Sequence, residues 1–74
     1  MKSLVYYARW EGAKLRMRGR SETAVWGQLV YTDADGNERL KLFHFDLKSW
    51  QITVGEGDDK QTVQLDEMGT VLKG

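Results

Sequence analysis

The chain contains no cysteine and no proline, and His44 is the single histidine among its 74 residues. The absence of cysteine excludes disulfides, thiolate metal sites and a thiol nucleophile. A single histidine excludes a metal site built from several histidines of one chain. A domain of this size buries only about 60% of its unfolded surface. Because it has no covalent cross-links, we expect it to be held together by packing or by oligomerisation.

Long apolar runs are also missing. The first ten residues, MKSLVYYARW, contain a five-residue apolar stretch before Arg9. That stretch is too short for the core of a signal peptide and far too short to span a bilayer. Together with the lack of cysteine, this predicts a cytoplasmic protein that is neither exported nor inserted into a membrane.

What the chain does contain is enough for one compact core. Hydrophobic residues make up 41% of the sequence and include three tryptophans, which argues against disorder and predicts a single domain over residues 1–74. The net charge is zero, but its distribution is uneven. Residues 1–20 hold six Lys and Arg against one Glu, whereas residues 21–46 hold two against five. Only a local patch could therefore attract a polyanion.

Alternating apolar and polar residues, eight glycines and short polar gaps predict an all-β fold. We expect a single small antiparallel barrel, or a strongly bent meander, of six to seven short strands. A turn at Glu11-Gly12 would join the first two strands into an N-terminal β-hairpin. The predicted strands are 3–10, 13–20, 24–32, 38–45, 50–55, 60–65 and 70–73.

The strand LKLFHF breaks the alternation. Its apolar residues shift from Leu40 and Leu42 to Phe43 and Phe45. A β-bulge near 42–43 would insert one residue and let the strand serve two faces, as a closing barrel requires.

From residue 24 onward, VWGQLVYTDADGNERLKLFHF, SWQITV, KQTVQL and TVLK follow one another in a strand order that resembles an SH3-like or Sm-like small barrel. DEM, between the last two, would form a one-turn 3₁₀ segment. The resemblance lies in spacing and includes no family motif, and the N-terminal hairpin departs from the minimal pattern. Such barrels bind proteins, peptides, RNA or DNA, so the resemblance implies a binding module.

The stretch AKLRMRGR alternates small or apolar residues with four cations. In the predicted hairpin these cations share one face with Arg9 and with Tyr7, on which a base could stack. Arg9 would lie opposite Lys14, a like-charge pair with no acid in the hairpin to relieve it. The alternative is a solvated edge strand, where cations block aggregation. The predicted surface for RNA, single-stranded DNA or another polyanion comprises Tyr7, Arg9, Lys14, Arg16, Arg18 and Arg20.

A protein partner is the alternative, with the chain acting as an inhibitor, a regulator or a homodimeric accessory protein. Trp26 lies on the opposite parity from Val25 and would either join the core or anchor an interface. Val5 and Tyr7 belong to the first predicted strand, which could pair with its copy in a dimer. Trp26, Val5 and Tyr7 are thus the predicted protein interface.

An enzyme is the least favoured reading. His44 and Asp46 could form an acid–base pair, but no nucleophile elbow accompanies them, and we expect a partly buried, hydrogen-bonded structural histidine. The stretch DADGNE clusters acids around Gly36 without the order of a calcium loop, and therefore predicts a β-turn. We expect no catalytic residue, no metal and no cofactor.

Overall fold

The computed structural model describes residues 2–72, in which one helix is followed by six strands. Six of the seven predicted strands are confirmed, and residue 73 of the last one lies outside the described residues. The elements are α1 (Lys2–Trp10), β1 (Lys14–Arg20), β2 (Ala24–Thr32), β3 (Glu38–Asp46), β4 (Gln51–Val54), a 3₁₀ turn (Gly57–Asp59), β5 (Gln61–Leu65) and β6 (Val71–Leu72).

The strands form one antiparallel meander in the order β1 to β6. Over residues 2–72, β1 pairs only with β2 and β6 only with β5, so the sheet is not closed on itself. The radius of gyration is 11.9 Å, close to the ~11 Å expected of a compact chain of this length. A mostly antiparallel β structure is therefore confirmed. The predicted 3₁₀ segment at DEM is a turn instead, and the 3₁₀ residues lie between β4 and β5.

The predicted N-terminal β-hairpin is wrong, because residues 2–10 form a helix. Its buried side chains include Leu4, Tyr7 and Ala8, at the i, i+3, i+4 spacing of one helix face. The helix ends in a Schellman motif. In it the Ala13 N–H donates to the Ala8 carbonyl at 2.8 Å and the Gly12 N–H donates to the Arg9 carbonyl at 3.1 Å. Gly12 has φ +70°, so the same glycine suits a helix end as well as a hairpin turn.

The helix covers one face of the sheet, which we call the core face. Leu4, Tyr7 and Ala8 pack there against buried side chains from β2 to β5. Burying each large apolar side chain contributes about 1.5–3 kcal/mol. The strand residues of this core are Val25, Leu29, Phe43, Phe45, Ile52 and Leu65.

The turn between β5 and β6 also holds the helix in place, through two side-chain hydrogen bonds. Ser3 Oγ donates to the Asp66 carbonyl at 2.7 Å, and Trp10 Nε1 donates to the Met68 carbonyl at 3.0 Å. Gly69 allows the close approach, since a Cβ there would contact the Tyr7 nitrogen and come within 2.5 Å of the Ser3 carbonyl oxygen. The helix is thus held between the sheet and this turn.

The predicted bulge near 42–43 is also wrong. The β2–β3 register runs without interruption from Ala24 opposite Asp46 to Thr32 opposite Glu38. The bulge lies in β1 instead, between Met17 and Gly19. Since β3 keeps its alternation, Leu40 and Leu42 stay on the face opposite the core.

Among residues 2–72 there is no helix with the length and apolar character that crossing a bilayer requires.

Candidate binding surface on the edge strand and outer face

The face opposite the core, which we call the outer face, is partly exposed, because Trp26, Leu40 and Leu42 are 39–54% exposed there while Val30 is only 6% exposed. In β2 and β3 it carries Trp26, Val30, Leu40, Leu42 and His44, which alternate with the core residues. It continues onto β1, where Lys14 lies opposite Val30 and Arg16 opposite Gln28. Cationic, apolar and aromatic side chains therefore share this surface.

The bulge divides the four cations of β1. Lys14 and Arg16 lie on the outer face, but Arg18 falls in the bulge and has no register partner. Beyond the bulge Arg20 lies opposite Val25, whose side chain is in the core. The prediction that all four cations share one face is therefore wrong, because the inserted residue reverses the alternation.

All four cationic residues of β1 are exposed. Over residues 2–72 the one ion pair within 4.0 Å joins Arg39 and Asp33, at 3.1 Å between Nε and Oδ2. No acid of the described chain therefore neutralises the β1 cations through a salt bridge. The edge of β1 that faces away from β2 also has no strand partner in residues 2–72.

Arg9 and Tyr7 do not join this surface in the way predicted. Arg9 is exposed on α1 and is not opposite Lys14, so the predicted like-charge pair is absent. Tyr7 is only 6% exposed and packs in the core. Burial and, after it, the Glu11 carboxylate raise the pKa of Tyr7 to about 12. The ring is therefore not available for stacking with a base or for contact with a partner.

The other predicted interface residues have separate positions. Val5 is exposed on α1, and because residues 2–10 are helical, they cannot pair with a second copy as a strand. Trp26 is 39% exposed on the outer face, so the alternative in which it joins the core is wrong and it is free to anchor a contact.

Trp26 and His44 lie opposite each other in the β2–β3 register, and their rings are nearly parallel. The ring planes differ by 7° and the centroids are 6.2 Å apart. His44 is exposed, so the expectation of a partly buried, hydrogen-bonded histidine is wrong. The two rings form an aromatic pair on the outer face, and Arg16, opposite Gln28, is diagonal to Trp26.

Two residues of this surface were not predicted as site residues. Leu40 is 54% exposed and Leu42 is 43% exposed. The sequence indicates these leucines through the break of alternation in LKLFHF, from which we predict a bulge. An unbroken strand with apolar residues on both faces is consistent with the same sequence.

Asp46 and Asp33 stabilise the turns that they begin by accepting hydrogen bonds from the backbone. Asp46 Oδ1 accepts hydrogen bonds from the backbone N–H groups of Lys48 and Ser49, at 2.8 and 3.0 Å. These bonds lower the pKa of Asp46. Asp33 Oδ1 accepts from the N–H groups of Asp35 and Asn37 at 3.0 and 2.9 Å, so the predicted turn at DADGNE is confirmed.

Over residues 2–72 no three acidic or histidine side chains come together in an arrangement that could hold a metal ion. The surface is therefore described by its cations, aromatic rings and leucines.

No protein-family model matches the chain, no curated protein matches its sequence and no solved structure matches its fold. The resemblance of residues 24–74 to SH3-like and Sm-like barrels therefore stays a prediction.

Proposed function

We propose that this protein is a non-enzymatic cytoplasmic binding module that contacts a nucleic acid or another polyanion through β1. The observation that supports this most strongly is the exposed, unneutralised set of cations on that strand. In a chain of zero net charge, such a patch creates a local positive potential that attracts phosphate groups. The resemblance to small barrels, many of which bind RNA or DNA, is consistent with this proposal.

The spacing of the cations also suits a phosphate backbone. Side chains two residues apart on one face of a strand are separated by about 7 Å. Lys14 and Arg16 therefore place two positive charges at a regular spacing on one face of β1, as binding to a repeating line of phosphates requires.

The test is fluorescence anisotropy with labelled mixed-sequence oligonucleotides over a series of salt concentrations. Binding should weaken steeply with salt, because phosphate contacts release counterions. Arg16→Ala should weaken binding and reduce the slope of log K against log salt by about 0.7 for a single strand. Arg39→Ala is the matched control, since it removes the same charge from a residue already paired with Asp33.

Absence of binding by the unaltered protein at low salt would contradict the proposal. So would an equal loss in Arg16→Ala and Arg39→Ala, because only net charge would then matter.

A protein partner is the second candidate, and the exposed leucines of the outer face favour it. Leu40 and Leu42 are neighbours on this face, with Leu42 diagonal to Trp26, and apolar groups at a polar-rimmed surface are common in protein interfaces. A complex formed through them should survive nuclease and moderate salt. It should be lost on combined Leu40→Thr and Leu42→Thr substitution, with no loss on Arg39→Ala.

A further inference from the structure

The position of the Trp26 ring suggests what kind of polyanion β1 contacts. Gly19 lies opposite Trp26 in the β1–β2 register. A Cβ at Gly19 would lie 2.7 Å from Trp26 Nε1 and Cε2 and 2.8 Å from Cζ2. These three atoms adjoin one another on the nitrogen side of the indole, so this side of the ring packs closely against the glycine, where a side chain would leave no room for it. The bulge in β1 places Gly19 at this position.

The indole is only partly covered on the side of β3. Its plane is within 7° of the plane of the His44 ring and the two centroids are 6.2 Å apart, within the range of offset-stacked aromatic pairs. Trp26 nevertheless remains 39% exposed. Held between Gly19 and His44, the indole presents a fixed, partly exposed apolar surface to solvent.

This surface lies next to the outer-face cations. Arg16 is opposite Gln28, which is two residues from Trp26 on the same face of β2. Diagonal neighbours of this kind have Cα atoms about 7–8 Å apart, within reach of a long side chain. A base stacked on the indole would therefore have its phosphate group within reach of the Arg16 guanidinium.

We propose that Trp26 is a stacking platform for an unpaired base, so that the ligand of β1 is a single-stranded nucleic acid. This inference rests on the proposed function. Stacking on an aromatic side chain needs a base whose face is free, and in a duplex the faces of the internal bases are already covered. The combination of phosphate-binding cations with an aromatic platform is the one that single-strand-binding surfaces use.

The experiment compares three probes on the full-length protein: a mixed-sequence single-stranded 15-mer, the same sequence as a duplex, and inorganic polyphosphate, which has charge but no bases. The variants are Trp26→Leu, Trp26→Phe and Arg16→Ala, each checked for folding by far-UV circular dichroism. Trp26→Leu should weaken single-strand binding about tenfold and leave polyphosphate binding unchanged. Trp26→Phe, which retains a ring, should recover most of the affinity. Arg16→Ala should weaken the binding of both the single strand and the polyphosphate.

The outcomes separate the inference from the function on which it rests. If single strand and polyphosphate both bind and Trp26→Leu affects neither, or affects both equally, the stacking role is overturned and the polyanion site stands. Tighter binding of the duplex than of the single strand also overturns the stacking role. If the unaltered protein binds none of the probes, the proposed function fails and the inference fails with it.

Discussion

The two faces of β2 and β3 are built from the same strands but have different roles. On the core face, Val25, Phe43 and Phe45 are at most 3% exposed because α1 and the neighbouring strands cover them. On the outer face, Trp26 and Leu42 are each about two-fifths exposed. The sheet therefore carries more apolar side chains than its core requires, and the additional ones lie on the same face as the β1 cations Lys14 and Arg16.

The largest effect should come from removing a core side chain. Phe45→Ala empties a site that is 1% exposed and should lower the free energy of unfolding by about 3–5 kcal/mol. Leu42→Ala, on the outer face of the same strand, should cost less than about 1 kcal/mol. Urea unfolding followed by circular dichroism measures both. Equal losses would mean that the outer face is part of the core.

The contact between the helix and the β5–β6 turn should be almost as sensitive. Gly69 has φ +76° and its Cβ position contacts the helix backbone, whereas Gly36 has φ +83° and no atom within 4 Å. Alanine at either position should lower the free energy of unfolding by about 1–2 kcal/mol, because a residue with a Cβ disfavours the left-handed backbone conformation. Gly69→Ala should cost about 1–3 kcal/mol more than Gly36→Ala, because it also displaces α1. Equal urea unfolding midpoints for the two variants would show that the helix can move away from the turn without loss of stability.

The pKa of Tyr7 predicts a loss of stability at alkaline pH. Folding raises this pKa from 10.0 to about 12, so the neutral phenol is the form that the core favours. Its contribution is complete below pH 10 and is lost as the pH rises toward 12, by about 2.7 kcal/mol in all, which is two pKa units at about 1.36 kcal/mol each. Tyr7→Phe should reduce this loss, with the phenol of Tyr31 accounting for what is left. An unchanged pH profile in Tyr7→Phe would contradict the assignment.

The smallest effect should come from the outer leucines. Combined Leu40→Thr and Leu42→Thr substitution should change the free energy of unfolding by at most about 1 kcal/mol, since both side chains are exposed and threonine suits a strand. Oligonucleotide affinity should be unchanged if the cations and Trp26 carry the binding. A strong loss of oligonucleotide binding would instead show that the nucleic-acid-binding surface extends onto β3.

Much of the sheet could be predicted because strands with one buried face must alternate. The pairing of Ile52 with Val63 across β4 and β5, for example, is the one that matches apolar residues without a slip. The helix could not be separated from a strand in the same way. Residues 4–8 are all apolar and therefore fit either period, and Gly12 suits both a turn and a helix end. The contacts that favour the helix are with the core face of the sheet and with the turn at Gly69, both distant in sequence.

The site was predictable only in its residue types. The cations of β1 follow from the strand pattern, and the pattern places Trp26 on the face opposite Val25 without deciding its exposure. The bulge at Arg18 depends on how β1 meets Gly27. A Cβ at Gly27 would contact the Arg16 carbonyl oxygen, so the glycine lets the two backbones approach closely at this point. A glycine in a strand indicates such an approach without specifying which neighbour bulges.

The hydrogen bond between Ser3 and Asp66 joins residues 63 positions apart. During synthesis the segment of α1 is made before β1 to β5 and before the turn that holds it. Until that turn is present, Leu4 and Tyr7 lack part of their final surroundings. We therefore expect docking of α1 to be a late event in folding, and a chain stalled before Asp66 to expose an amphipathic segment to chaperones.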